Sequence, residues 1–163
     1  MATPALSGRT VLDWENRRYC ARHSVEVSAD PERVWADLEN FAEWQNWNPL
    51  YVQSSGTLAE GNRIQFAVSL PGMKPQAGEA SVIKVIPREF LQYEIKSLGG
   101  LVTAIRFVEI RQSGANCTTL TNGEIMTGVL APLFFKCFGD RVRQGLENMN
   151  LALAARFHGP LPR

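Results

Sequence analysis

The sequence predicts an α+β domain in which a curved antiparallel sheet of about seven strands wraps around one long C-terminal helix, with two short helices after the first strand. Three observations predict it. From residue 51 onward, short stretches suited to strands are joined by short turns, which makes successive strands antiparallel neighbours. Residues 118–157 read as a strand, a break at Gly128 and Pro132, and then one long apolar stripe at helical spacing. With 163 residues, 45% hydrophobic and 20% charged, the chain is long enough for one domain with a real core and too apolar to be disordered.

Each element has a local cause. Residues 1 to about 12 are rich in Ala, Thr, Pro, Ser and Gly, and 1–22 is read as an N-terminal extension, flexible in part. Residues 13–22, with Trp14 and Tyr19, are open to two readings: a short helix or the lead-in to a strand. The domain proper is expected over 23–158, with 159–163 as a tail. His23, Val25 and Val27 alternate with Ser24, Glu26 and Ser28, a strand pattern. Asp30-Pro31-Glu32 opens a helix, with an N-cap aspartate, proline in the first turn and an acid near the positive helix end. Val34, Trp35 and Leu38 form its apolar side. A second short helix is expected over 41–45, ended by Asn48-Pro49.

Strands are then expected over 51–56, 62–70, 78–86, 90–98, 101–111 and 118–126. Ile64, Phe66, Val68 and Leu70 share one face of the second, and Leu91, Tyr93 and Ile95 one face of the fourth. In the fifth, Ile105, Phe107 and Glu109 are placed inward and Arg106 outward. Pro71-Gly72, Gly99-Gly100 and Ser113-Gly114-Ala115-Asn116 supply turns. The last helix is expected over 129–157, with Leu130, Phe134, Phe138, Val142, Leu146, Met149 and Leu153 on its stripe. Gly139 and Gly145 each lose about 1 kcal/mol of helix propensity, which close approach to the sheet or room for a ligand would offset. Cys137 is read as a small core residue.

The charge balance, 17 basic against 16 acidic residues, gives no electrostatic reason to expect nucleic acid or an anionic membrane. The three cysteines lack metal-ligand spacing. No apolar run approaches the ~20 residues of a membrane span, and the first twenty residues lack the apolar stretch that secretion needs. The expectation is a cytoplasmic protein with free thiols, and a homodimer is left open.

The chemistry is read from the last strand. Leu120, Asn122, Glu124 and Met126 share a face by period-two alternation. A buried carboxylate is costly unless paired or neutralised, so this mixture fits a cavity with apolar walls and a few polar groups. Glu124 is then a general acid or base, with Asn122 orienting it, or else an anchor of the strand-to-helix junction. Tyr93 could act as an acid or donate to an oxyanion. Phe66, Ile105, Phe107, Met126, Phe134 and Phe138 are placed as apolar walls. Trp44, Trp47 and Asn48 are either a gate for an aromatic ligand or a cap over the core. Glu109 is either exposed or a second acid beside Glu124. His23 and His158 are read as surface or structural residues. The sequence carries no phosphate-cradling loop, metal-ligand cluster or nucleophile motif, and neither a metal nor an organic cofactor is expected.

Two segments carry a family resemblance. The first is Val27-Ser28-Ala29-Asp30-Pro31-Glu32-Arg33-Val34-Trp35, followed by Phe41 and Trp44-Gln45-Asn46-Trp47-Asn48-Pro49. The second is Thr118-x-Leu120-Thr121-x-x-Glu124-x-x-x-Gly128-x-Leu130-x-Pro132, then Gly145-Leu146-x-x-Met149-Asn150-x-Ala152-Leu153. Over residues 23 to 157 the chain resembles the helix-grip superfamily abbreviated SRPBCC, which groups START lipid-transfer domains, birch-pollen-allergen-like proteins and polyketide cyclase/dehydrase-like proteins. The second segment resembles the small bacterial polyketide cyclase/dehydrase-like branch. The chain departs where many members of that branch carry a His near Ile105 and a Gln at Asn122. The resemblance implies a helix-grip fold and a hydrophobic, aromatic or polyketide-like ligand in an interior cavity. It also implies cofactor-independent cyclisation, dehydration or other lyase-type proton transfer on that ligand. A non-catalytic carrier or sensor is the alternative, and a protein-interaction module like the chaperone-activator relatives is a third.

Overall fold

The computed structural model describes residues 13–158. Seven strands form one antiparallel sheet: β1 (Cys20–Val27), β2 (Tyr51–Ser55), β3 (Arg63–Val68), β4 (Gln76–Ile86), β5 (Phe90–Ser97), β6 (Val102–Gly114) and β7 (Cys117–Thr127). The order across the sheet is β1-β7-β6-β5-β4-β3-β2, so strands β2 to β7 follow one another and β1 closes beside β7. Helix α1 (Pro31–Glu39), a 3-10 turn (Phe41–Glu43) and α2 (Trp44–Trp47) lie between β1 and β2, and α3 (Ala131–Ala155) closes the chain. This is the helix-grip arrangement that the sequence predicts.

Local chemistry sets the boundaries. Asp30 caps α1, its Oδ1 accepting from the Arg33 backbone N–H at 2.9 Å. Gly128, at φ +103, turns the chain from β7 into α3, and a Cβ there would lie 2.4 Å from the Leu101 carbonyl oxygen. The described part of the N-terminal segment takes the lead-in form rather than a helix. Its strand begins at Cys20, and the Tyr19 carbonyl accepts from the Met126 N–H at 2.9 Å. The flexibility expected of residues 1–12, and the 159–163 tail, lie outside the described residues.

The sheet carries apolar side chains on both faces. On the inner face, α3 packs against β1 and β7, while the other half of the sheet curls past the helix. The inner core joins Val34, Leu38, Trp44, Ile64, Leu91, Leu120, Leu146, Met149 and Leu153. On the outer face a smaller cluster holds Ile86, Phe90, Phe107 and Ile125, covered by Trp14. The Trp14 and Phe107 rings stack with centroids 5.4 Å apart and planes at 18°.

That outer cluster corrects the reading of residues 101–111, which form β6. Ile105, Phe107 and Glu109 face outward, and Arg106 faces inward. Phe107 lies over Gly123 of β7, where the absence of a Cβ leaves room for its ring. Glu109 pairs with Arg111 at 2.9 Å on the outer face, so it is neither a cavity residue nor a partner of Glu124. Cys137, read as a core residue, is exposed, because it falls off the stripe that α3 turns to the sheet.

Candidate functional site

A cavity of about 270 Å³ lies where α3 and the curled half of the sheet diverge. Its walls come from six strands and the helix. Tyr51, Phe66, Val68, Ile95, Val102 and Ala104 line the sheet side, and Phe134, Phe138 and Val142 the helix side. Met73, Gln76, Phe134 and Phe138 are at least partly exposed and mark its mouth. A hollow of about 800 Å³ over the edge of β2 to β4 is larger, but Gln53, Ser55, Gln65 and Glu79 in its lining are exposed, which makes it a surface trough.

Arg106 and Glu124 line the inner part of the cavity. Antiparallel register places them there: Tyr93 of β5 pairs with Arg106 of β6, which pairs with Glu124 of β7. Residues directly opposite in a sheet share a face, so the three side chains form a row. Arg106 Nη1 stands 3.5 Å from Glu124 Oε2, and the two side chains are only 4% and 11% exposed. Arg106 Nη2 donates to Asn122 Oδ1 at 3.3 Å, and Asn122 Nδ2 faces Met149 Sδ of α3 at 3.0 Å. Arg106 Nε is buried without a partner. The guanidinium also lies 5.6 Å from the centre of the Tyr51 ring. The Tyr51 and Tyr93 hydroxyls share a hydrogen bond of 2.5 Å.

These surroundings set the protonation states. Burial raises the Glu124 pKa, and the adjacent Arg106 offsets this only in part. Burial opposes the charge on Arg106, but its pKa is raised overall, so the guanidinium stays charged. Burial likewise raises the pKa values of Tyr51 and Tyr93, so both are neutral donors at physiological pH. The site therefore offers a fixed cation, a carboxyl group biased toward holding a proton, and a phenolic hydroxyl at the cavity wall.

The sequence-derived residues divide into four groups. Glu124, Phe66, Met126, Phe134 and Phe138 line the cavity, while Asn122 and Tyr93 lie one bond behind it, holding Arg106 and Tyr51. Trp44, Trp47 and Asn48 do not line it. Trp44 is fully buried, donates Nε1 to the Leu38 carbonyl at 3.0 Å and backs the Tyr51 ring edge-on. Trp47 packs under the Arg156 guanidinium, and Asn48 Oδ1 accepts from the Leu50 N–H at 3.0 Å. The three form a cap behind the site rather than a gate. Ile105, Phe107 and Glu109 lie on the other face of the sheet. Sequence reasoning missed Arg106 and Tyr51. Counting outward from the turn at 113–116 puts residue 106 opposite 123; the irregularity between Gln112 and Gly114 shifts the register so that Arg106 meets Glu124, and no local pattern announces that shift.

A family model described as polyketide cyclase / dehydrase and lipid transport matches residues 18–154. No curated protein is significantly similar to this chain in sequence. Among solved structures, the Zhui aromatase/cyclase from a Streptomyces species superposes with a TM-score of 0.69 at 12% identity, over 84% of this chain and 92% of that one. A START superfamily protein from Mycobacterium smegmatis gives 0.66 at 19% identity, over 85% and 96%. DynU16, from the dynemicin biosynthetic locus, gives 0.64 at 18% identity, over 85% of this chain but 46% of its own, so this chain spans about half its length. At these identities the likeness is one of fold.

Proposed function

The chain belongs to the polyketide cyclase/dehydrase and lipid-transport family, and from that premise we propose that its cavity binds a hydrophobic, ring-bearing small molecule and moves protons at the oxygen-bearing end of that molecule. The observation that carries this reading is the buried Arg106–Glu124 pair in an otherwise largely apolar cavity. Buried charges inside an apolar pocket are a poor route to stability, and pKa values shifted by burial and a specific partner mark sites of chemistry.

The roles follow from placement. Phe66, Phe134 and Phe138 hold the flat body of the ligand. Arg106 donates to a carbonyl oxygen and steadies the negative charge that develops there, with Asn122 fixing the guanidinium. Tyr51 offers a second donor, and Tyr93 holds its hydroxyl in place. Glu124 moves the proton. In a dehydration, the Glu124 carboxylate takes the proton on the carbon beside the carbonyl. The electron pair moves toward the oxygen held by Arg106. The hydroxyl one carbon further out then leaves, taking that proton back from the Glu124 carboxyl. A C–H and a C–O bond break, a C=C and an O–H bond form, and water and an enone are released.

A hydroxytetralone whose loss of water yields naphthol tests this, with naphthol fluorescence as the readout. The wild-type chain should release naphthol faster than buffer. Glu124→Gln should still bind the ketol but lose turnover by about 10²–10⁴-fold, the usual weight of a positioned proton-transfer group. Unchanged turnover in that variant would remove Glu124 from the chemistry. The apolar lining also favours a second reading, a carrier that leaves its guest unaltered. A guest recovered intact after prolonged incubation, with no turnover by the wild-type chain, would select it.

A further inference from the structure

We propose that the ligands of this cavity are aromatic acids, which enter as anions, take the place of Glu124 beside Arg106, and leave Glu124 holding a proton. The assignment rests on the cavity reading above and adds to it the charge state of the guest and the movement of one proton.

Three observations carry it. First, Arg106 is under-used. Its Nη1 faces Glu124 at 3.5 Å, a long contact for an ion pair, its Nη2 reaches Asn122, and its buried Nε has no partner. A guanidinium is built to hold two oxygens of one planar group at once. An incoming carboxylate, enolate or phenolate meets donors that Glu124 leaves free. Second, the charge count along the lining is closed. Arg106 and Glu124 are its charged groups, and every other lining side chain is neutral. An anion arriving while Glu124 stays ionised would put two negative charges beside one positive in an apolar enclosure, an arrangement of high energy. One proton taken up by Glu124 restores the balance. Third, burial already inclines Glu124 toward the protonated form.

Among the described residues, no second carboxylate lines the cavity beside the pair. Tyr93 of β5 and Tyr51 of β2 are neutral phenols bonded to each other. Asn122 of β7 does not titrate, and Ala21 of β1 stands opposite Glu124. His23 of β1 lies beside Asn122 in register, but its Nδ1 is engaged by Asn150 Nδ2 at 3.0 Å. From α3, Phe134, Phe138, Val142 and Met149 face the site.

The test is calorimetric titration of the full chain with naphthoate and with its neutral isostere naphthamide, in two buffers of different ionisation enthalpy. Naphthoate should bind tenfold or more tightly than naphthamide and take up about one proton, so that its affinity falls about tenfold per pH unit where Glu124 is ionised in the free protein. Glu124→Gln should keep naphthoate binding and take up no proton. Equal affinity for the two probes overturns the assignment, as does naphthoate binding without proton uptake at any pH between about 6 and 9. Uptake that persists in Glu124→Gln also overturns it, since the proton then goes elsewhere. Naphthamide binding with naphthoate excluded overturns the acid assignment and leaves the cavity reading intact. Binding of neither probe overturns both. The wild-type comparison stands without the variant.

Discussion

The Glu26 carboxylate on β1 accepts hydrogen bonds from Cys117 Sγ at 2.9 Å, Ser113 Oγ at 2.7 Å and Thr119 Oγ1. These donors, the thiol first, lower its pKa from 4.5 to about 2. A depressed folded-state value means that the unfolded chain binds the proton more tightly. The contribution of Glu26 to stability is therefore complete above pH 4.5 and is lost as pH falls toward about 2. Glu124 acts with the opposite sign. Its value is raised in the fold, so its contribution is complete below pH 4.5 and declines as pH rises through the elevated value. Glu26→Gln should flatten the acid limb of a urea-midpoint profile between about pH 4.5 and pH 2. A limb of unchanged slope would show that the three donors do not hold the charge.

At the scale of elements, β6 and β7 form the wall on which the site depends, and the two faces of that hairpin do different work. Outside, Phe107 lies between Trp14 and Phe90 and over Gly123, where an added Cβ would fall 2.3 Å from the ring. Inside, the same register sets Arg106 against Glu124. Gly123→Ala should push Phe107 off its seat and destabilise the fold by about 1–3 kcal/mol, the range of an overpacked core. Thermal unfolding reads this, and an unchanged midpoint would mean that the outer cluster does not fix the hairpin. The same hairpin marks the limit of what sequence pattern conveys. β7 was legible because its inner face mixes polar and apolar residues while Thr119, Thr121 and Gly123 mark the other. β6 was not, because Ile105 and Phe107 on one face and Val108 and Ile110 on the other leave no period-two contrast. A charged Arg106 then reads as exterior, because the register shift between Gln112 and Gly114 that sets it opposite Glu124 is not visible in the pattern. The cover that makes the outer face apolar comes from Trp14, distant in sequence, and no local pattern announces it. The strands, the capped α1 and the long α3 were legible because each rests on spacing or on a local cap.

For the whole molecule, the site exists because one helix cannot cover a curled sheet of seven strands. Helix α3 lies against β1 and β7, and the remaining strands arch past its N-terminal half. Gly145 lets the helix approach Leu50, since a Cβ there would lie 2.9 Å from Leu50 Cδ1. Closer to its start, Phe134 and Phe138 stand off the sheet and wall the gap instead of filling it. Among the described residues no helix is long and apolar enough to cross a membrane, and no cluster of His, Cys, Asp and Glu could hold a metal. The proposed function rests on the interior and on the pair of charges it contains. A crystal structure of the chain soaked with naphthol tests that claim most directly. The rings should lie between Phe66, Phe134 and Phe138, with the oxygen within hydrogen-bond distance of Arg106. Naphthol bound elsewhere on the protein, over an interior packed solid around Arg106 and Glu124, would contradict it.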